Sequence, residues 1–203
     1  MKVLVACEYS GRVRDAFIAK GHDAMSCDIL PTDSPGPHYQ GDVFDVINDG
    51  WDLMIAHPPC TYLCIANAVH YNRAKWGDKK VDKRLADREE AIKFFDRLLK
   101  VDIPMIAVEN PRPLKVLTAV TGKYSQVVQP YHFGHEASKT TCLWLKGLPD
   151  LQPTEIVGPG KFVKGIGKRT NPAWSYLLPV KGRAKARSLT FQGIADAMAD
   201  QWG

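Results

Sequence analysis

Two short apolar runs joined by one long amphipathic stretch constrain the fold of this chain more than any other feature. The runs cover residues 52–56 and 103–108, and residues 83–100 between them carry apolar side chains at helical spacing. A strand, a helix and a second strand in this order form a crossover unit, which predicts two parallel strands with a right-handed connection. The chain is therefore predicted to be an α/β protein with a mostly parallel central sheet.

The first 28 residues predict a second unit of the same kind. Residues 2–7 and 22–28 resemble strands, Ser10 is a plausible N-cap for the helix between them, and Asp28 ends the second strand. In nucleotide-binding βαβ units, an acid at this position accepts hydrogen bonds from ribose hydroxyls. Only Gly11 stands in the turn, so the phosphate-binding Gly-x-Gly-x-x-Gly pattern is absent. The absence of this pattern favours a ligand without a pyrophosphate, such as S-adenosylmethionine. The alternative role for Asp28 is that it merely caps a loop.

Further elements follow along the chain. Residues 31–40 are rich in proline and glycine and predict a loop, and Asp42 either contacts an adenine or caps the short helix after it. Residues 65–80 predict a long, irregular lid or binding loop. The rest of the pattern predicts a helix over 113–121, strands over 125–129 and 141–145, and a terminal amphipathic helix over 190–202.

Cys60 is the first candidate for a reactive group. It follows the strand at 52–56 directly after Pro58 and Pro59, which end a strand because neither can donate to a sheet ladder. In open α/β sheets, ligands bind at the carboxyl ends of the strands. Glu109 ends the next strand of the crossover unit, so we expect Cys60 and Glu109 at the same edge of the sheet.

A thiolate and a carboxyl group placed together can activate a pyrimidine ring. The sulfur would add to carbon 6 of a cytosine while the glutamate holds ring nitrogen 3 and helps to protonate it. Carbon 5 then becomes nucleophilic enough to take a methyl group from a sulfonium. This chemistry needs an accessible thiolate in an electropositive setting, and a base that has left its stack.

These residues resemble the cytosine-5 DNA methyltransferases in their small phage-type form. Pro58-Pro59-Cys60 is similar to the family's nucleophile loop, and Glu109-Asn110 is similar to its base-holding dipeptide. The resemblance covers about residues 3–145 and 188–202. It implies a Rossmann-like S-adenosylmethionine methyltransferase fold with helices on both faces of the sheet. It also implies duplex DNA with a flipped cytosine as the partner, contacted in part by Asn110.

The resemblance further implies where S-adenosylmethionine binds. The cofactor turn would lie at Tyr9, Ser10 and Gly11, the ribose acid would be Asp28, and Asp42 would contact the adenine. The full expected cofactor set adds their neighbours and the first proline of the nucleophile loop: Ile29, Val43 and Pro58. Residues 193–199 are similar to the family's last motif, which packs beside the cofactor.

Two departures from the family pattern shape the remaining predictions. The late Gln-x-Arg-x-Arg motif reads Ala137-Ser138-Lys139-Thr140-Thr141 here, so Lys139 is expected to do part of the arginines' work. The large target-recognition domain is absent, and only a short insertion at about 147–187 stands in its place. The chain is thus expected to form one methyltransferase-like domain over 1–203, with a homodimer or a separate partner as a possible source of sequence specificity.

Charge is concentrated in that insertion. The chain has 27 basic and 22 acidic residues, and eight of the basic residues but none of the acidic ones lie within 161–187. Basic residues interleaved with aromatics suit a nucleic-acid backbone and its bases, although a solvated loop without a partner is the alternative. The nucleic-acid contacts expected here are Lys161, Lys164, Lys168, Arg169 and Trp174. Such contacts position a nucleic acid but do not specify its sequence.

The residues leave other interpretations open. Cys60 could be a buried structural cysteine, and Cys64 could be an accessory thiol or a core filler. His57, Cys60, Cys64 and His70 could suggest zinc, but their spacing matches no familiar site, and no metal is expected. The rival functions are a non-catalytic nucleic-acid-binding protein that keeps the fold, and a related cytosine-5 modification of RNA or a free nucleotide.

The compartment is predicted from two features. No apolar run approaches the ~20 residues of a membrane span, and the N-terminus has no cleavable signal pattern. Five cysteines are an odd number scattered through apolar segments, as expected of free thiols in a reducing compartment. We therefore expect a cytoplasmic protein, in a bacterium or a phage-infected host, without membrane contact.

Overall fold

The computed structural model of the chain describes residues 1–164 and 170–203. Its strands are β1 (Lys2–Ala6), β2 (Asp23–Asp28), β3 (His38–Gln40), β4 (Leu53–Ala56), β5 (Met105–Pro111), β6 (Gln126–Val128), β7 (Thr141–Lys146), β8 (Phe162–Lys164) and β9 (Thr170–Pro172). Its α-helices are α1 (Arg12–Ala19), α2 (Val43–Val46), α3 (Arg73–Trp76), α4 (Asp78–Leu99), α5 (Lys115–Thr121), α6 (Ala173–Tyr176), α7 (Val180–Ser188) and α8 (Gln192–Trp202). Short 3-10 helices cover Ile65–Tyr71 and Pro130–His132.

Seven strands form one sheet in the order β3-β2-β1-β4-β5-β7-β6. The first five are parallel, and β7 is antiparallel to both of its neighbours. The strand order reverses between β1 and β4. The gap beyond the carboxyl ends of these two strands is therefore the topological switch point, which is where ligands bind in doubly wound sheets. The predicted Rossmann-like α/β fold is thereby confirmed. Strand β7 is inserted between β5 and the edge strand β6.

Both faces of the sheet are covered by helices. Val3 and Val5 of β1 point to the face that packs against α1 and α8, whereas Leu4 and Ala6 point to the face covered by α2, α4 and α5. The central strands are apolar on both sides because neither side meets water, as is usual for parallel sheets. Within the described ranges, no helix is long and apolar enough to cross a membrane.

Two predicted loops contain regular structure. Residues 38–40 pair in parallel with β2 as the edge strand β3. The predicted lid at 65–80 consists of the first 3-10 helix, α3 and the first turn of α4. Helix α3 is one turn long and is capped by Asn72, whose side chain accepts from the Lys75 amide at 3.1 Å. The prediction of irregular structure was wrong because a turn this short has no apolar periodicity to detect.

Glu8, and not Ser10, caps helix α1. The buried Glu8 carboxylate accepts from the Val13 amide at 2.9 Å and from the Arg14 amide at 3.3 Å. Ser10 donates its hydroxyl to Glu8 at 3.0 Å and accepts from the Arg12 amide at 3.3 Å, but Gly11 stands at the N-cap position, so the prediction of Ser10 as the N-cap was wrong. A carboxylate therefore already satisfies the positive end of this helix, the place where a pyrophosphate would bind in a dinucleotide-binding protein.

Arg14 fastens the loop between β2 and β3. Its side chain is fully buried, and it donates to the Ser26 hydroxyl at 3.1 Å and to the carbonyl oxygens of Ser34 and Pro35 at 3.1 and 3.2 Å. Asp15 supplies the countercharge at 2.7 Å. The backbone carbonyls of a proline-rich loop are thus satisfied by one guanidinium rather than by a strand ladder.

Replacing this arginine should destabilise the protein. Arg14→Met leaves buried carbonyl groups without donors, and we expect the free energy of unfolding to fall by on the order of 3 kcal/mol. Urea denaturation followed by circular dichroism measures this change. Lys123→Met, which removes one exposed charge, is the control and should stay within about 0.5 kcal/mol of the parent. Equal stability of the two variants would contradict the proposed role of Arg14.

Candidate active site

Cys60, Glu109 and Lys139 converge at one edge of the sheet because β5 pairs with both β4 and β7. Cys60 follows the carboxyl end of β4, and Glu109 lies in the last part of β5. Strand β7 begins with Thr141 opposite Pro111, so Lys139 just before it emerges at the same edge. The Lys139 charge is close enough to act on both the Cys60 thiol and the Glu109 carboxyl.

Glu109 sits between two cationic or proton-donating neighbours. The Nδ1–H of His57 donates to Glu109 Oε2 at 3.0 Å, and the two side chains are 11% and 12% exposed. Burial alone would raise the pKa of the Glu109 carboxyl. The Lys139 ammonium and the His57 hydrogen bond outweigh burial and lower this pKa to about 2. Glu109 is therefore a carboxylate at neutral pH, held in a fixed orientation.

Cys60 and Cys64 form a hydrogen-bonded thiol pair. The Cys64 neighbour, burial and the Glu109 charge raise the pKa of Cys60, while the Lys139 ammonium partly opposes them. The hydrogen bond from Cys60, together with backbone donors at Ala66 and Asn67, lowers the pKa of Cys64 to about 6. The pair therefore loses its first proton more easily than its second.

The loop that carries Cys60 is tightly held. The Cys60 carbonyl accepts from the amides of Leu63 and Cys64 at 3.1 and 3.3 Å, which closes a turn around the thiol. The next segment is fixed to the chain after β5, since the Leu114 amide donates to the Leu63 carbonyl at 2.7 Å. Pro58 is buried and Pro59 is exposed. The thiol is thus presented on a braced turn rather than on a free loop.

The predicted cofactor residues line the neighbouring strand ends. The Asp28 carboxylate ends β2, and its Oδ1 accepts from the Leu30 amide at 2.9 Å. Ile29 beside it is 76% exposed. An exposed apolar side chain next to a strand-end carboxylate suits a nucleoside, because the first can contact a flat ring and the second can accept from ribose hydroxyls. These residues fit S-adenosylmethionine.

The other cofactor candidates have structural partners of their own. Asp42 accepts from the Phe44 amide at 3.0 Å and so caps α2, which is one of its two predicted roles. The Val43 side chain is buried in the core, so only its backbone is available to a ligand. Tyr9 lies at the turn after β1 and shares a hydrogen bond with the Ser188 hydroxyl at 2.9 Å, which links this turn to α7.

Some of the predicted nucleic-acid contacts are exposed, and others are buried or have structural partners. Lys161 and Lys164 are exposed, on and beside β8. Trp174 instead supports the insertion, since its indole N–H donates to the Ser138 carbonyl at 3.0 Å and its ring packs edge-on against Phe191. Asn110 is fully buried, so direct contact between its side chain and a nucleic acid is not available in this conformation. Lys168 and Arg169 lie outside the described residues.

Sequence reasoning missed two members of this site. His57 was considered only as a zinc ligand, although its place between β4 and the two prolines puts it at a strand end beside Glu109. Arg187 of α7 also belongs here, because its charge helps to lower the pKa of Cys64. Across residues 1–164 and 170–203, no group of three or more His, Cys, Asp or Glu side chains could hold a metal ion.

Comparisons with known proteins give only remote likenesses. No family model and no curated protein matches the chain. One solved structure, described as a DNA modification methyltransferase encoded within an E. coli prophage, is 16% identical with a TM-score of 0.45, and the match covers 79% of this chain and 53% of that one. The Entamoeba histolytica methyltransferase EhMeth is 14% identical with a TM-score of 0.47, covering 77% and 57%. The chain spans little more than half the length of these proteins, and likenesses this remote say nothing about its activity.

Removing His57 should raise the pKa of Glu109. His57→Ala takes away a hydrogen bond that favours the carboxylate, so the pKa should move from about 2 toward its ordinary value. A carbon-13 NMR titration of labelled glutamate carboxyls, with the Glu109 signal assigned by Glu109→Gln, measures the shift. His57→Asn, which keeps an N–H donor near the same position, should restore much of the low pKa. An unchanged Glu109 titration in His57→Ala would contradict the coupling.

Removing Cys64 should lower the pKa of Cys60. In Cys64→Ala the thiol neighbour that raises this pKa is gone, so more Cys60 is thiolate at a given pH. The rate of Cys60 alkylation by iodoacetamide, followed by peptide mass spectrometry from pH 6 to about pH 10 to span the ordinary thiol pKa, should rise earlier in the variant than in the parent. Cys142→Ala, which removes a fully buried thiol on β7, should alkylate like the parent.

Proposed function

We propose that this protein is an S-adenosylmethionine-dependent methyltransferase that modifies carbon 5 of cytosine in DNA through a covalent adduct with Cys60. The observation that carries the proposal is the meeting of a thiol, a carboxylate and an ammonium at the carboxyl edge of the sheet, beside the switch point. Pyrimidine activation needs a sulfur nucleophile on one side of the ring and a proton-exchanging carboxyl on the other.

The residues that would hold the cofactor are the strand-end and turn residues Tyr9, Ser10, Gly11, Asp28, Ile29 and Asp42. When bound, S-adenosylmethionine supplies a methyl group activated by its sulfonium. The Glu8 carboxylate at the start of α1 supports this choice of cofactor, because it disfavours a second anion such as a pyrophosphate at that helix end. Asp28 would accept from the ribose, and Ile29 would shield one face of the adenine.

Cys60 and Cys64 would together generate the thiolate nucleophile. The pair loses one proton readily, and Cys60 is the nucleophile when the remaining proton lies on Cys64. The Lys139 ammonium stabilises the negative charge that Cys60 then carries. A carbon–sulfur bond then forms at carbon 6 of the cytosine, and the ring's electron pair moves to carbon 5.

Glu109, supported by His57, would transfer the proton at ring nitrogen 3, on the other side of the ring from Cys60. As carbon 6 is attacked, ring nitrogen 3 becomes basic and needs a proton from the group that contacts it. Glu109 is the contacting group, and its carboxylate takes up that proton from solvent when the base binds, while the His57 hydrogen bond at 3.0 Å holds the carboxyl in place. After carbon 5 has been methylated, loss of its proton to a base expels the Cys60 thiolate and restores the ring.

The charge distribution favours a nucleic acid as the substrate, and DNA is the nucleic acid that we propose. Lys161 and Lys164 are exposed in the basic insertion, and Lys185 of the same insertion reaches back to Asp33. Lys161 and Lys164 suit phosphate contacts that orient a strand over the site without reading its sequence, whereas the Lys185 ammonium is already paired with Asp33. Sequence specificity then depends on a second copy of the chain or on a separate partner.

Methyl transfer tests the proposal directly. With tritiated S-adenosylmethionine and mixed-sequence DNA, we expect label to enter DNA and to be recovered as 5-methylcytosine after nuclease digestion. Cys60→Ala should abolish transfer and trap no adduct, and Glu109→Gln should reduce transfer by about 100-fold or more, since it removes one acid–base group. Cys142→Ala is the matched control and should transfer at the parental rate.

The same experiment decides among the rival functions. Label that enters RNA or free cytidine nucleotides but not DNA would change the substrate class. Binding of DNA and cofactor without any transfer by the parent would favour the non-catalytic binding protein. Transfer that persists in Cys60→Ala would overturn the covalent mechanism.

A further inference from the structure

A cleft lined by aromatic and basic side chains lies beside the turn that carries Cys60. It has a volume of about 250 Å³ and is lined by Tyr62, His70, Trp76, Lys80, Lys83, Arg84 and Asp87. Its walls are the nucleophile loop on one side, the first 3-10 helix and α3 on another, and the start of α4 on the third. The proposed reaction uses none of these side chains.

The cleft is built rigidly onto the nucleophile loop. Arg84 donates to the Thr61 carbonyl at 2.7 Å, so α4 is bonded to the residue next to Cys60. The Arg84 guanidinium also lies between two aromatic rings, 4.9 Å from the centroid of Tyr62 and 5.0 Å from that of Tyr71. Its Nε is buried and has no hydrogen-bond partner among the described residues. The Arg84 cation is therefore held in one position at the wall of the cleft.

The flat surfaces of the cleft come from His70 and Trp76. Their ring centroids are 5.2 Å apart, and both side chains are half-buried. The Trp76 indole N–H donates to the Val69 carbonyl at 3.1 Å, which fixes the ring. Exposed faces of fixed aromatic rings are what single-strand-binding proteins offer to nucleobases.

The segment around the cleft is a second basic region. Residues 61–88 contain seven Lys or Arg and three Asp, with no Glu. Two of the three aspartates are taken by Arg73, at 2.9 Å to Asp78 and 2.6 Å to Asp82. Lys80 lines the cleft and makes no salt bridge in the part of the chain that the structure describes. The charge therefore complements a phosphate backbone, and the aromatic lining complements a base.

We infer that this cleft binds one unpaired nucleobase of the strand that carries the target cytosine, with Trp76 as its stacking platform and Lys80 and Arg84 as its phosphate contacts. This inference rests on the proposed function and adds to it a preference for unpaired DNA. Stacking on Trp76 needs an exposed base face, which a base pair inside a closed duplex does not offer. The protein therefore acts on single-stranded or locally opened DNA in preference to closed duplex.

Binding measurements test this inference separately from catalysis. The probe is a fluorescein-labelled single-stranded oligodeoxynucleotide with one cytosine, and fluorescence anisotropy gives the dissociation constant without cofactor. We expect Trp76→Ala to weaken binding by about tenfold, the loss of one stacked base. Trp76→Phe should bind within about threefold of the parent, because a flat ring is kept. Lys80→Ala should lower the salt slope of binding by about 0.7, as for one phosphate contact.

Lys93→Ala is the matched control. Lys93 is exposed farther along α4 and pairs with Glu90, so its loss removes one charge from the same helix but leaves the cleft intact. A salt slope lowered equally by Lys93→Ala and Lys80→Ala would overturn the proposed phosphate contact. Parental binding by Trp76→Ala would overturn the stacking platform.

Changes in the DNA probe test the same contacts on the parent protein, so the result does not depend on whether a variant folds correctly. An abasic residue next to the cytosine should weaken binding to the parent by about tenfold and should leave binding to Trp76→Ala unchanged. Inorganic polyphosphate that competes as well as the oligonucleotide, or duplex that binds as tightly as single strand, would overturn the inference. Methyl transfer with normal Trp76→Ala binding would refute only the cleft. Cleft-dependent binding without transfer would refute only the proposed reaction.

Discussion

The pairing of β5 with both β4 and β7 is the constraint on which the candidate site depends. Parallel pairing with β4 brings Glu109 to the edge where Cys60 emerges. Antiparallel pairing with β7 brings the chain back to that edge, so that Lys139 arrives just before Thr141. Three groups that are far apart along the chain are thereby brought together, with Glu109 on β5 itself and Cys60 and Lys139 in the segments next to β4 and β7. The reactive turn is then braced onto the chain after β5.

Charge compensation determines the chemical state of the groups that meet there. A buried carboxyl alone would tend to be protonated, and here the Lys139 ammonium and the His57 hydrogen bond keep it ionised. The Cys64 neighbour, burial and the same carboxylate together raise the pKa of the Cys60 thiol. The arrangement separates an acid–base pair, Glu109 with His57, from a thiol pair, Cys60 with Cys64. A reaction that protonates one side of a ring while attacking the other needs this separation.

Much of this could be predicted from the sequence, and the failures have physical reasons. The joint location of Cys60 and Glu109 follows from the crossover unit, because parallel strands end at the same edge. Ser10 was mistaken for the helix cap because a longer side chain, that of Glu8, reaches the same amides from before the turn. The 65–80 segment was taken as irregular because its short helices are held by Asn72 and by stacked rings rather than by an apolar face.

The sequence by itself determined the α/β class, the strand ends and the nature of the reactive groups, because apolar periodicity and proline breaks are local properties. Only the tertiary structure decided which groups touch. The insertion of β7 beside β5, the His57–Glu109 hydrogen bond, and the stacking of Arg84 between Tyr62 and Tyr71 join residues that local pattern does not relate. Their pairing depends on strand register and on close packing, which are set by the whole fold and not by any one segment.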